Sequence, residues 1–297
     1  EREKREKKKT EEQMMKLILD RAPADDRILA VYMNGSRTNP NVPKDIFQDY
    51  DIVYVVTETE SFRKDRGWID RFGERLFMQY PEEGFFGGGN AEECYGWLIQ
   101  FSDGNRLDLH VDTLEYALGD IRSDRLCRIL LDKAGVLPEL PEPTDEDHWV
   151  RRPDQEEFEA VCNEFWWCLD NVAKGLWRGE VPYVQDMLNC HIRPQLVCQL
   201  SWKAGAAENF RISVGKSGKY LYRWLEPEEW ESFLSTYAGS DIEEIWNAVE
   251  TMCGLFDRTA GNNGEILGLK YCREEADNCR KYLRHVRNLP RDASEIF

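Results

Sequence analysis

The chain has 297 residues, of which 41% are hydrophobic and 12% aromatic. That is enough apolar material for folded cores, it argues against wholesale disorder, and the length points to two domains. The formal net charge is −17, from 39 basic and 56 acidic residues. Such a balance disfavours a protein that grips nucleic acid, which needs Lys and Arg at the phosphates, and favours attraction of a small polycation. No apolar run approaches transmembrane length. Nine Cys, an odd count without a Cys-x-x-Cys, point to reduced thiols in the cytoplasm rather than disulfides or a zinc site.

Residues 1–9 are nearly all charged and read as a solvated helical lead-in. Thr10 and Gln13 have capping-box spacing, and Met14, Leu17 and Ile18 follow at helical spacing, so a helix is predicted to about Arg21. Ile28 to Met33 reads as a buried strand leading into Gly35-Ser36. Residues 39–43 form an Asn/Pro loop, and Tyr50 to Val56 is a second strand. At its start stand Asp49 and Asp51. Spaced two apart on a strand, they share a face, and two like charges held so close call for a cation between them. Mg²⁺ is the hard cation that suits carboxylates plus a phosphate. Gly35 permits close backbone approach and Ser36 adds a hydroxyl and an amide, a small phosphate cradle. This combination reads as nucleotide chemistry.

Trp68, Ile69, Phe72, Leu76 and Phe77 suit a helix covering the sheet. Residues 81–90 form a Gly-rich loop without the Gly-Lys-Ser/Thr of a P-loop. Residues 95–101 and 106–111 flank Asp103-Gly104 and read as a hairpin. In its second strand Leu107, Leu109 and Val111 share one face, and Asp108, His110 and Asp112 the other. Asp108 is the third carboxylate if the strands are neighbours; Asp112 is the runner-up, read as a loop or cap residue. Residues 123–133 read as a short helix, and 137–147, rich in Pro and acids, as a linker. Helices are predicted over 154–177, 183–203, 227–237, 241–259 and 265–286. The fold class is α+β: a sheet domain over 10–136, a linker over 137–153 and an all-α domain over 154–297.

Gly35-Ser36 after one strand, Asp49-Tyr50-Asp51 on the next and Asp108 on a further one resemble the polymerase-beta-type nucleotidyltransferase superfamily. The longer string from Val31 through Asn41, continuing from Phe47 to Val53, and Asn163-Glu164-Phe165-Trp166-Trp167 with Asn171 to Trp177, resemble the aminoglycoside 6-adenylyltransferases. The resemblance implies a mixed sheet flanked by helices followed by a helical bundle, and transfer of AMP from ATP to a streptomycin hydroxyl. It further implies two Mg²⁺ ions on Asp49, Asp51 and Asp108, with Asp108 as general base. Ser36 and Arg37 are candidates for the triphosphate, with an ion pair equally open for Arg37. Among Lys174, Lys203, Lys216 and Lys219, Lys203 ranks first as a second-domain cation. Asn163, Trp167, Asp170 and Lys174 fall on one helical stripe. Trp167 and Asp170, with Trp97 opposite, are expected to face a cationic drug, although core packing of the tryptophans is equally open. The rival readings are another acceptor for the same chemistry, or a non-catalytic nucleotide-binding regulator.

Overall fold

The computed structural model describes residues 7–297; the leader's first six residues lie outside them. The chain divides into two compact units, the first ending at Asp147 and the second spanning His148–Phe297. The first unit opens with α1 (Glu11–Arg21), started by the expected box. The Thr10 hydroxyl accepts from the Gln13 N–H, and the Gln13 side chain accepts from the Thr10 N–H. Met14 and Ile18 then fall on the buried side.

Six strands follow: β1 (Ile28–Asn34), β2 (Tyr50–Val56), β3 (Arg75–Gln79), β4 (Cys94–Phe101), β5 (Arg106–Thr113) and β6 (Cys127–Asp132). They form one sheet in the order β3-β4-β5-β2-β1-β6. Only β2 and β5 run parallel; every other pairing is antiparallel. Period-two alternation gives the sheet two apolar faces. Ile52, Tyr54, Leu107, Leu109 and Val111 pack with Met14, Ile18, Trp68 and Phe72. A short helix, α2 (Glu60–Lys64), follows β2; Ala30, Tyr32, Val53 and Val55 pack beneath Ala117 and Ile121 of α3 (Leu114–Ser123).

Two predicted helices are something else. Residues 68–77 split into a 3₁₀ turn, Trp68–Phe72, and the edge strand β3, where Leu76 and Phe77 are exposed rather than packed. Residues 123–133 hold β6, paired antiparallel to β1. The unpaired edge of β1 recruits this apolar stretch, and a ladder of backbone hydrogen bonds overrides its local helical period.

The second unit is helical: α4 (Gln155–Arg178), α5 (Val181–Asp186), α6 (Arg193–Ala207), α7 (Pro227–Leu234), α8 (Ile242–Leu267) and α9 (Arg273–Arg287). Asp154 and Asp241 cap α4 and α8 by accepting from the N–H three residues on, and Gly179 and Gly268 close them with positive φ. The helix expected over 183–203 is interrupted by a π-helical segment, Met187–Ile192, ahead of Pro194 in the first turn of α6. Pro has no N–H to carry the ladder through unbroken. The break expected near Gly261 falls at Gly268 instead. Gly261 and Gly264 stay helical because the chain returns over them: a Cβ there would lie 2.6 Å from Arg273 Nη2 and 2.9 Å from the Leu269 carbonyl oxygen.

At the centre of this unit Phe165 of α4 and Phe256 of α8 stack with ring centroids 3.7 Å apart, and Trp166 meets both edge-on. Phe165→Ala is expected to cost about 3–5 kcal/mol, read as a lower urea midpoint for the helical unit.

Candidate active site

The parallel pairing of β2 with β5 sets Asp51 directly opposite Asp108. Asp49 is one residue before β2. The adjacency that the sequence left open is therefore present, and it brings the three carboxylates to one end of the two central strands. Arg106 sits among them. Its guanidinium donates to both oxygens of Asp108, at 2.9 and 2.7 Å, and lies 3.4 Å from Asp49. It occupies the place of a cation between acids. Sequence reasoning passed over it, although Arg106 and Asp108 are two apart on one strand and so share a face.

Asp51 is more enclosed than Asp49. Burial first, then the neighbouring Asp108 and Asp49 charges, push its carboxyl up to about 7. Burial also raises Asp49, against the opposing pull of Arg106. Gly35 makes this closeness possible. It has φ +74°, and a Cβ there would lie 2.1 Å from Asp51 Oδ2, so only the bare backbone fits over the carboxylate. The turn beyond it is closed by Thr38, whose N–H and hydroxyl both donate to the Gly35 carbonyl, at 3.1 and 2.8 Å. The Ser36 carbonyl accepts from Gln48 Nε2 at 3.3 Å. Arg37 is committed to structure. It donates to the carbonyls of Asp49 and Gln48 at 2.8 and 3.0 Å, pairs with Glu11 at 3.3 Å and stacks 3.7 Å over the Tyr50 ring. It splints the Gly35–Thr38 turn to the start of β2.

Asp51 and Asp108 line a cavity of about 430 Å³ with Asn34, Glu82, Cys94, His110, Asp112, Tyr116 and Asp120. Asp112 lies in β5, not in a loop or cap, and is 2% exposed. Burial drives it up to about 7. Asp120 of α3 is fixed by donors from Tyr32 and Asn34 at 2.8 and 2.9 Å. The cavity wall is thus strongly acidic.

Two expected ligand contacts, Trp97 and Lys203, already have partners within the protein, whereas Trp167 and Asp170 are open to a groove. Trp97 is 1% exposed and packs against Trp68 with centroids 5.4 Å apart. It pairs with Leu109 across the ladder, so it points to the sheet face opposite Asp108 and offers no ring to a ligand. Lys203 of α6 is ion-paired with Glu229 of α7. Trp167 is 69% exposed and lines an open groove of the helical unit with Asp170, Glu274, Glu275 and Tyr282. Asp170 there pairs with Lys174 at 2.7 Å and accepts from the Tyr282 hydroxyl at 2.6 Å, which lowers its pKa against the opposing effect of burial.

A family model described as Streptomycin adenylyltransferase matches residues 8–286. The chain belongs to this family. Among its relatives, an aminoglycoside 6-adenylyltransferase of Bacillus subtilis (strain 168) is 38% identical over 264 residues, covering 89% of this chain and 93% of that protein. One of Campylobacter jejuni is 36% identical, covering 84% and 86%. A crystal structure of an aminoglycoside 6-adenyltransferase from Bacillus subtilis aligns at 32% identity over 95% of this chain and 100% of its own, with a TM-score of 0.47. Membership in the family makes the chain a nucleotidyltransferase that moves adenylyl groups, as the carboxylate constellation suggested. Among the described residues no helix is long and apolar enough to cross a membrane.

The raised carboxyl of Asp51 has a sign that can be checked. Its folded pKa of about 7 exceeds the unfolded carboxylate value of ~3.9. The folded state therefore holds an extra proton between these values, and its stability falls as pH rises through them. In the presence of a chelator, Asp51→Asn is expected to raise Tm, by an amount that grows from pH 5 to pH 7 and then levels off. Differential scanning fluorimetry across that range reads it; a gain independent of pH would contradict the assignment.

Proposed function

We propose that this protein transfers AMP from Mg-ATP to a hydroxyl of streptomycin or a closely similar aminoglycoside, releasing pyrophosphate. The observation that carries the reading is the register pair Asp51–Asp108 beneath Gly35, with Asp49 beside it. An all-oxygen donor set of three carboxylates suits Mg²⁺, and the space over Asp51 that a Cβ would fill is kept open by a glycine. The fit supports Asp49 and Asp51 as shared holders of two ions and Asp108 as a holder of the second. When bound, Mg²⁺ supplies charge neutralisation at the triphosphate and acidity at the attacking hydroxyl.

Within this reading Asp108 takes the proton of the acceptor hydroxyl. Arg106 neutralises Asp108 and Asp49 before the substrates arrive, and must yield Asp108 for that step. The Gly35–Thr38 turn and the Ser36 hydroxyl hold phosphate, while Arg37 keeps the turn in place rather than touching the nucleotide. On the helical unit, the Trp167 plane together with Asp170, Glu274 and Glu275 offers a guanidinium-bearing drug an aromatic face and carboxylates.

The test is pyrophosphate release from ATP in Mg²⁺, with and without streptomycin. Release is expected to need the drug, to vanish in Asp49→Asn, and to fall by roughly 10²–10⁴-fold in Asp108→Asn. Near-normal turnover in either variant would overturn the roles assigned to these acids. Release with another aminoglycoside but not streptomycin would reassign the acceptor alone. Gly35→Ala, which drives a methyl into Asp51, is expected to abolish release while leaving the far-ultraviolet circular dichroism unchanged.

A further inference from the structure

Beside the catalytic acids, but outside the machinery above, three chemically different groups converge. The ligand atoms of Glu82, Cys94 and His110 all lie within 4.8 Å of one another. Cys94 Sγ is 3.3 Å from His110 Nδ1; the ligands of a tetrahedral ion with bonds of about 2.0–2.3 Å stand roughly 3.3–3.8 Å apart. Each of the three is positioned by the fold. Cys94 on β4 and His110 on β5 belong to adjacent strands, with His110 directly opposite Gly96. Gly96 is required there: a Cβ would lie 2.8–3.0 Å from three atoms of the imidazole ring. Glu82 arrives from the loop after β3, and one of its oxygens accepts the Gly96 N–H at 2.7 Å. That bond holds the carboxylate over the strands and leaves the other oxygen for a further partner.

A fourth group points to a ligand independently. Asp112 pairs with Cys94 across the ladder and lines the same cavity. It is 2% exposed, and its Oδ1 has no hydrogen-bond partner. A buried carboxylate oxygen without a partner is costly, and the ladder sets this carboxyl beside Cys94. A cation held by Cys94 and its neighbours would offset that cost.

We propose that Glu82, Cys94 and His110 form a second metal site, distinct from the catalytic carboxylates and suited to Zn²⁺ rather than Mg²⁺, with the unpartnered Asp112 carboxylate beside it. One sulfur, one imidazole nitrogen and one carboxylate are a borderline-soft donor set. Three protein ligands leave the fourth position of a tetrahedral ion to a water. Its mechanical effect is to clamp the Gly-rich loop, through Glu82, onto β4 and β5. His110 and Asp108 are two residues apart on one strand face, about 7 Å along the strand, so this ion sits beside the Mg²⁺ site without sharing its ligands.

Co²⁺ is the spectroscopic probe, added to protein in which the exposed Cys190 and Cys272 are replaced by Ser. The expected result is one Co²⁺ per chain, with tetrahedral visible bands and a thiolate-to-cobalt charge-transfer band. These features are lost on addition of Zn²⁺, and they persist in excess Mg²⁺ and in Asp49→Asn. Cys94→Ser should remove the charge-transfer band. Its absence from the parent protein, or its survival in Cys94→Ser, overturns the proposal. Should Cys94→Ser fail to fold, His110→Gln and Glu82→Gln take its place. Each is expected to weaken Co²⁺ binding at least ~10-fold, and unchanged binding in both overturns the site. Zn²⁺ should also raise Tm in the parent and not in His110→Gln.

Discussion

The parallel pairing of β2 with β5 is the constraint on which the first unit depends. Among the described residues it is the only parallel contact in a sheet that is otherwise antiparallel. Its register puts Asp51 opposite Asp108, a repulsive cross-strand pair of a kind that destabilises a sheet. The apolar halves of the same strands offset that repulsion. Ile52, Tyr54, Leu107, Leu109 and Val111 are at most 1% exposed and lock the register from the other face. A slip of one residue would bury the acids and expose the core. The hydrophobic pattern thus holds together charges that would otherwise separate, and Arg106 offsets part of the repulsion.

How much of this was legible depended on whether the signal was local. The Thr10 cap, the β1 and β2 runs, the Asp103-Gly104 hairpin and the long helix α4 each carry their pattern locally, and each appears where it was expected; α8 starts where expected and runs on to Leu267. The 68–77 and 123–133 segments did not form as expected. Their apolar residues fit a helical period, but the outcome was set by sheet edges belonging to strands far away in sequence. The same distinction applies to the site. Asp49, Asp51 and Gly35 were readable because the pair and its cradle are close in sequence. Asp108 was readable as a strand-face acid, whereas its neighbour strand was not. Trp97 was misplaced for a definite reason: one strand position away from Leu98, which faces Asp108, it belongs to the opposite face, and the alternation that placed Asp108 correctly also places Trp97 in the core.

Arg37 and Arg106 show how a charge can be read only once its partners are known. Arg37 is two residues from Gly35 and Arg106 two from Asp108 in sequence, and both cations act on Asp49 and Asp51. Arg37 is saturated by two carbonyls, Glu11 and the Tyr50 ring, so moving it would undo the turn that it braces. Arg106 binds only side-chain carboxylates and is half-exposed, so exchanging its partners costs no backbone hydrogen bond. Of the two, Arg106 has the freedom to respond to a substrate.

The polar face of β5 illustrates how one strand supports several chemistries. Asp108, His110 and Asp112 repeat at a period of two, yet their surroundings differ step by step. Asp108 lies against the half-exposed Arg106 guanidinium, His110 beside a thiol and over a bare glycine, and Asp112 in the interior with an oxygen unpartnered. Position along the strand converts three similar sites into an acid suited to hard ions and proton transfer, and a half-buried nitrogen–sulfur–oxygen cluster suited to a softer one. No feature of the sequence near Cys94 announces that cluster, because its members come from a loop and two strands and share no ligand spacing. The odd cysteine count argued against a zinc site only in the sense that no linear motif was present; a site assembled across a sheet leaves no such trace.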